Sequence, residues 1–206
     1  LVFPDNDRPG VMSAEAALVY LRRHGVLAGE RIVLAANNSH ALAVALPLRE
    51  AGAQVTVADL REGASIDAVH GGKGVEAVTV RGRRVEADCL LVSGGFTPTV
   101  HLYCQARGRL RYDEAICAFV PGEPVAGMSV VGAAAGDFGD YAIVPAWPKP
   151  QAKGRQWIDL QNDVTLKDVA LAARENFRPV EHLKRYTTLG MATDQGKTSN
   201  MNGLAA

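Results

Sequence analysis

Apolar positions near the start of the chain recur at helical spacing. Ala17, Leu18 and Leu21 share one helix face behind Ser13, whose hydroxyl can cap the first turn, and Gly25 can end the helix. The pattern predicts a helix over 14–24. Arg31-Ile32-Val33-Leu34-Ala35-Ala36 is a short apolar run and reads as a buried strand. A polar turn, Asn37-Asn38-Ser39-His40, leads into a helix from about Ala41 to Glu50 that stops near Gly52. Gln54–Asp59 alternates as a second strand. Strand, turn, helix, strand makes a βαβ unit with a parallel pair.

The pattern then shortens to a period of two. Glu76–Val80, Arg84–Ala87 and Cys89–Val92 read as strands joined by tight turns, with Gly71-Gly72-Lys73-Gly74 turning the chain before them. Ser93-Gly94-Gly95-Phe96-Thr97-Pro98 is a backbone-rich loop. Met128–Val131 reads as another apolar strand, entering the small-residue loop Gly132-Ala133-Ala134-Ala135-Gly136-Asp137. Pro145 to Gly154, with three prolines and Trp147, reads as an extended linker. Beyond it, Thr165 and Asp168 are spaced as a near capping box for a helix of about ten residues. Pro179 and Val180 open a second helix that ends near Gly190.

Composition narrows the class of protein. The 206 residues balance 22 Lys and Arg against 22 Asp and Glu. A net charge of zero argues against broad capture of nucleic acid or an anionic membrane. No run approaches the apolar length of a membrane span, and Leu1-Val2-Phe3-Pro4-Asp5 does not read as a signal peptide. Cys89, Cys104 and Cys117 match no disulfide or metal spacing, which points to buried thiols in a reducing cytoplasm. The polar start and the unpunctuated end suggest a piece of a longer polypeptide.

Candidate chemistry is sparse. A dinucleotide-binding βαβ turn needs glycines so that pyrophosphate can reach the helix N-terminus, and Asn37–His40 has none. Asp59 stands where a ribose-binding acid would. Gly136 and Asp137 offer close backbone approach beside a carboxylate. Gly190 to Gly196 encloses five residues where a phosphate loop needs four, so Gly196-Lys197-Thr198 is not one. The segment still concentrates donors: Lys184, Arg185, Thr187, Thr188, Lys197, Thr198 and Ser199. The five histidines are scattered without metal-ligand spacing, and no residue reads as catalytic.

Gln161-Asn162-Asp163-Val164-Thr165-Leu166-Lys167-Asp168 and Val180–Asn200, with Asn6–Met12 and Ser93-Gly94-Gly95, resemble the alpha subunit of heterotetrameric sarcosine oxidase. The resemblance covers the middle of such a subunit, without its glycine-rich first dinucleotide turn or its folate-binding module. It implies an α/β protein: a partial two-dinucleotide-binding, Rossmann-like flavoprotein fold followed by a small helical module. The implied divisions are a leading segment at 1–12, a second nucleotide-binding-like domain at 13–88, a return to the first domain at 89–146, and a linker with the helical module at 147–206. It further implies NAD held by the parent subunit, with Asp137 reaching a ribose or pyrophosphate. FMN would lie at the alpha–beta interface and FAD in beta. The partners would be the beta, gamma and delta subunits, with sarcosine and tetrahydrofolate as substrates of the whole enzyme. The last module is similar to a [2Fe–2S] ferredoxin-like domain, with Asp159, Gln161, Asp194 and Ser199 at its four cysteine positions, so no cluster is expected. Two rivals stand beside this reading: a subunit of an opine or proline dehydrogenase, and a non-catalytic interaction subunit.

Overall fold

The structure is a computed structural model that describes residues 1–149 and 151–206. Its centre is a four-stranded parallel sheet of order β1-β7-β2-β3, made from β1 (Val11–Ser13), β2 (Arg31–Ala36), β3 (Gln54–Asp59) and β7 (Cys89–Ser93). Two helices, α1 (Ala14–His24) and α2 (Ala41–Glu50), follow β1 and β2 and cover one face. A three-stranded antiparallel meander, β4 (Ile66–His70), β5 (Ala77–Val80) and β6 (Arg83–Glu86), covers the other.

This layering explains why β2 and β7 read as unbroken apolar runs. Ile32, Leu34, Ala36, Cys89 and Leu91 pack toward the helices, while Val33, Ala35 and Leu90 pack toward the meander. A strand buried on both faces has no polar side to alternate with. The expected helices and the β2–α2–β3 unit form as read. Ser13 Oγ accepts the Ala16 amide at 3.1 Å, and Gly25 adopts the left-handed conformation (φ +65°) that ends α1. The β5–β6 hairpin closes on Arg81 and Gly82, both at positive φ, as a two-residue hairpin turn with that twist requires.

Beyond the sheet lie α3 (His101–Gln105), a ribbon of β8 (Leu110–Asp113) and β9 (Ala118–Pro121), and a 3₁₀ turn over Gly132–Ala135. The strand expected at Met128–Val131 is absent. The segment has strand composition, but no strand among the described residues pairs with it, and Val131 is 75% exposed. An isolated strand leaves its backbone groups to water and gains nothing from alternation. The expected linker, 145–154, has no regular helix or strand among its described residues, and its Pro150 lies outside them.

The C-terminal module is not purely helical. A short antiparallel ribbon, β10 (Trp157–Asp159) with β11 (Val164–Thr165), precedes α4 (Leu166–Arg174), α5 (Val180–Thr187) and α6 (Asn200–Leu204). The Asp168 carboxylate accepts from Thr165 N at 2.8 Å and Thr165 Oγ1 at 2.6 Å, fixing the start of α4. Ile158, Val164, Leu166, Val169 and Leu189 form its own small core. Buried Asn6 clasps the module to the leading segment, donating to Trp157 O at 2.8 Å and accepting from Trp157 N at 2.9 Å. No helix among the described residues is long and apolar enough to cross a membrane.

Candidate functional site

Parallel strands bring Ser13, Asn37 and Ser93 to one end of the sheet. The crevice between Asn37 and Ser93 lies at the carboxyl ends of the adjacent strands β2 and β7. Open α/β sheets bind ligands at such points. Here the protein fills the crevice itself. Ser39 N donates to Ala142 O at 2.8 Å, and Val144 N donates to Asn37 O at 2.9 Å. Asn37 Nδ2 donates to Val144 O at 2.8 Å, and Ala142 N donates to Ser39 Oγ at 3.0 Å. Residues 141–144 thus form a strap across the turn, where pyrophosphate would have to lie.

Asn38 is fully buried beneath the strap. Its Nδ2 donates to Ser93 O at 3.0 Å, and its Oδ1 accepts from His40 N at 3.1 Å. Gly95 serves the same closure. Its φ is +101°, and a Cβ there would come within 2.6 Å of Ile143 Cδ1. Asn38→Ala would remove both the bond to Ser93 O and the acceptor of the His40 amide from a fully buried position, so we expect it to cost about 1–2 kcal/mol by urea unfolding. An unchanged midpoint would show that the strap does not depend on Asn38.

Asp59 is also committed within the chain. Its carboxylate holds Arg61 through two nitrogens, the nearest at 2.6 Å, and that side-chain hydrogen bond keeps its pKa below the ordinary carboxylate value.

An open cleft of about 640 Å³ lies beside the filled crevice, toward β1. Ser93-Gly94-Gly95 and the start of α1 form one wall. Both tryptophans of the chain, Trp147 and Trp157, line it, as do Lys197 and Thr198 from the C-terminal module. At its rim Phe96 packs on His40, Phe138 and Tyr141 at centroid distances of 5.1–5.5 Å. The cleft therefore combines flat apolar surface, exposed backbone, the carboxylate of Glu15, which is paired with His40, and the charge of Lys197, unpaired among the described residues. Such a lining suits a planar ligand with an anionic group on the Lys197 side.

The residues singled out from the sequence separate in space. Lys197 and Thr198 reach the cleft, whereas Lys184, Arg185, Thr187, Thr188, Ser199, Gly136 and Asp137 are not among its lining. Lys184 and Arg185 occupy the last turn of α5. Thr187 Oγ1 donates to Leu183 O at 2.8 Å and Thr188 Oγ1 to Thr187 O at 2.5 Å, so both hydroxyls close the helix end. Ser199 is fully buried, with its hydroxyl 3.5 Å from Asp159 Oδ2. Asp137 is exposed and accepts from Gly139 N at 3.1 Å, while Gly136, at φ +91°, packs on Val120 and Ile116. Sequence reasoning missed the tryptophans. Trp147 sits among prolines and Trp157 ten residues later, and only the fold brings them to one cleft.

Residues 153–206 match the sarcosine oxidase A3 domain. Over 99% of its length the chain is 34% identical to sarcosine oxidase subunit alpha of Rhizobium meliloti (strain 1021). Over 98% it is 32% identical to the same subunit of Corynebacterium sp. (strain P-1). Over nearly its whole length the chain is homologous to sarcosine oxidase alpha subunits. It spans 26% and 28% of the length of those two relatives. The alignments run to 259 and 272 positions against 206 residues, so the relatives carry residues with no counterpart here. The fold matches that of L-proline dehydrogenase from P. horikoshii with a TM-score of 0.80 at 23% identity, covering 100% of this chain and 49% of that one.

This homology raises the question of which groups these residues fit. The four positions compared with cluster cysteines carry no thiol. Buried Asp159 accepts from Gln161 N at 3.0 Å and Gly190 N at 2.8 Å, and Gln161 Oε1 accepts from Thr193 Oγ1 at 2.7 Å. These oxygens are spent within the protein, and the set does not fit an iron–sulfur cluster. Among the described residues no group of three or more His, Cys, Asp or Glu side chains is arranged to hold a metal ion. The β2–α2 turn does not fit a dinucleotide, because the strap occupies it. The cleft, with its aromatic walls and Lys197, does fit a flavin nucleotide.

Proposed function

We propose that the chain forms the central part of the alpha subunit of a sarcosine oxidase-like flavoenzyme. In this reading the whole enzyme oxidatively demethylates sarcosine to glycine, passes the one-carbon unit to tetrahydrofolate and forms hydrogen peroxide. The observation that carries it is 32–34% identity, over nearly the whole chain, to proteins named as that subunit. The beta, gamma and delta subunits would be its partners, with FAD in beta and NAD elsewhere in alpha. FMN would sit in the cleft, where this chain meets beta.

A bound flavin supplies the two-electron acceptor for amine oxidation. The residues of this chain bind and exclude water. Trp147 and Trp157 offer flat apolar walls, and Lys197 places a positive charge where a phosphate or reduced ring can use it. Lys184 and Arg185, away from the cleft, would serve the contact with another subunit. Gly136 and Asp137 would close a nucleotide site whose main part lies elsewhere in the subunit. Met128–Val131, apolar and unpaired, would there gain a neighbouring strand, which supports assigning the chain beyond β7 to a first domain, whereas β7 itself (Cys89–Ser93) is an inner strand of the sheet assigned to a second.

The test is to purify the chain with its co-encoded partners and record a visible spectrum with and without sarcosine. A flavin spectrum bleached by sarcosine is expected, and Lys197→Ala should weaken FMN retention about tenfold, the effect of one charged hydrogen bond. A colourless complex would favour an interaction subunit. Bleaching by proline or an opine alone would favour a dehydrogenase.

A further inference from the structure

Residues 188–199 join α5 to α6 with neither helix nor strand, yet Lys197 and Thr198 from this connection line the cleft. An irregular connection keeps one shape only where its backbone groups find fixed partners. Two carboxylates supply them. Asp194 Oδ1 accepts from Gly196 N at 3.0 Å, and its Oδ2 accepts from Thr198 N at 3.1 Å and from Thr198 Oγ1 at 2.6 Å. Asp159 Oδ2 accepts from Gly190 N at 2.8 Å and lies 3.5 Å from the buried Ser199 hydroxyl. The connection is thus gripped at its start, at the turn itself and just after it. Gln195 (φ +52°) and Gly196 (φ +78°) are consecutive left-handed residues that curl the chain back toward Asp194. The Asn200 side chain packs so closely on Gly190 and Gly196 that neither position has room for a Cβ.

We propose that Asp194 and Asp159 are positioning residues that hold the Lys197–Thr198 turn at the cleft, so that the ammonium of Lys197 stays in reach of an anionic group of the ligand. The inference rests on the cleft being the ligand site. The two carboxylates act on the ligand only through that turn. Both oxygens of Asp194 are needed at once, and the Thr198 hydroxyl, foremost among its donors, holds its carboxyl below the ordinary range, so the acceptor is ionised at neutral pH. In Asp194→Asn a single oxygen remains for the Gly196 and Thr198 amides, so the grip is lost at one of them without a change of size.

The experiment compares the chain, with its partners, as parent, Asp194→Asn, Lys197→Ala, the double variant and Thr198→Ser. Hydrogen exchange over 194–199 reads the grip directly, and FMN quenching of Trp147 and Trp157 reads the cleft. Asp194→Asn should speed exchange at 196–198 about tenfold while lowering the melting temperature by no more than about 3 °C. It should weaken FMN binding as much as Lys197→Ala does, and the double variant should be no weaker than Lys197→Ala alone, because both changes remove one shared contact. Thr198→Ser keeps the hydroxyl and should behave as the parent. Unchanged exchange in Asp194→Asn, or losses that add in the double variant, overturn the proposal. If the parent shows no quenching by FMN, the cleft reading fails, while the exchange measurement still decides whether Asp194 holds the turn.

Discussion

Leu91→Ala is expected to destabilise the protein by about 2–5 kcal/mol, the range for emptying a leucine-sized volume in a packed core. Leu91 is fully buried on β7, between β1 and β2, with Met12 and Leu34 as its cross-strand neighbours. It faces the cluster formed under α1 and α2, so the cavity would open between sheet and helices. The backbone there is fixed by ladders on both sides, and little can collapse into the space. Leu90→Ala should cost a similar amount through the opposite cluster, against the meander. Leu42, 63% exposed on α2, should cost less than about 0.5 kcal/mol when cut to alanine. Urea titrations followed by far-ultraviolet dichroism read all three. If Leu91→Ala costs less than Leu42→Ala, β7 is not the central strand and the three-layer arrangement is wrong.

How much of this was legible in the sequence depended on whether a segment carries its own signal. β2 is an unbroken apolar run, α2 is mostly apolar, β3 alternates, and α1 has a capping serine and a terminating glycine, so local pattern and tertiary burial agree. β4 was missed because Ile66-Asp67-Ala68-Val69-His70 is short and mixed, and becomes a strand only beside β5. The β8–β9 ribbon was missed because it turns through Cys117 at φ +52°, without a glycine or Asn-Gly signal. Met128–Val131 failed in the other direction: composition proposes a strand, but pairing decides it.

The candidate site was legible only in part for the same reason. Donor density marked 184–200 as a unit, yet density along a chain does not say which side a group faces. Thr188, left-handed at φ +63°, turns the chain after α5, and only Lys197 and Thr198 come round to the cleft. The tryptophans gave no usable signal, since nothing local to either one points to the other. The family resemblance, carried by 161–168 and 180–200, supplied what periodicity did not.

Raising the pH from 8 to 11 is expected to remove on the order of 2–3 kcal/mol of stability through Cys89 alone. This thiol is fully buried at the start of β7, opposite Ile32. Burial, with a smaller contribution from neighbouring Asp88, pushes its pKa from 9.0 up to about 11. The folded state therefore keeps a proton that the unfolded chain gives up. Below pH about 9 both states are protonated and Cys89 contributes no pH dependence. Between about 9 and 11 the unfolded state binds fewer protons, so stability falls by up to about 1.4 kcal/mol per pH unit, and above that range the effect levels off. Lysines and tyrosines titrate in the same window, so the measurement is the difference in alkaline slope between the parent and Cys89→Ala. Thiol labelling gives a second reading. At pH 8 the thiolate fraction of Cys89 is about 10⁻³, and exposed Cys104 should react first, half-buried Cys117 next and Cys89 only on unfolding. Equal alkaline slopes in parent and variant, or labelling of Cys89 as fast as Cys104, would show that β7 is not sealed beneath the helix layer.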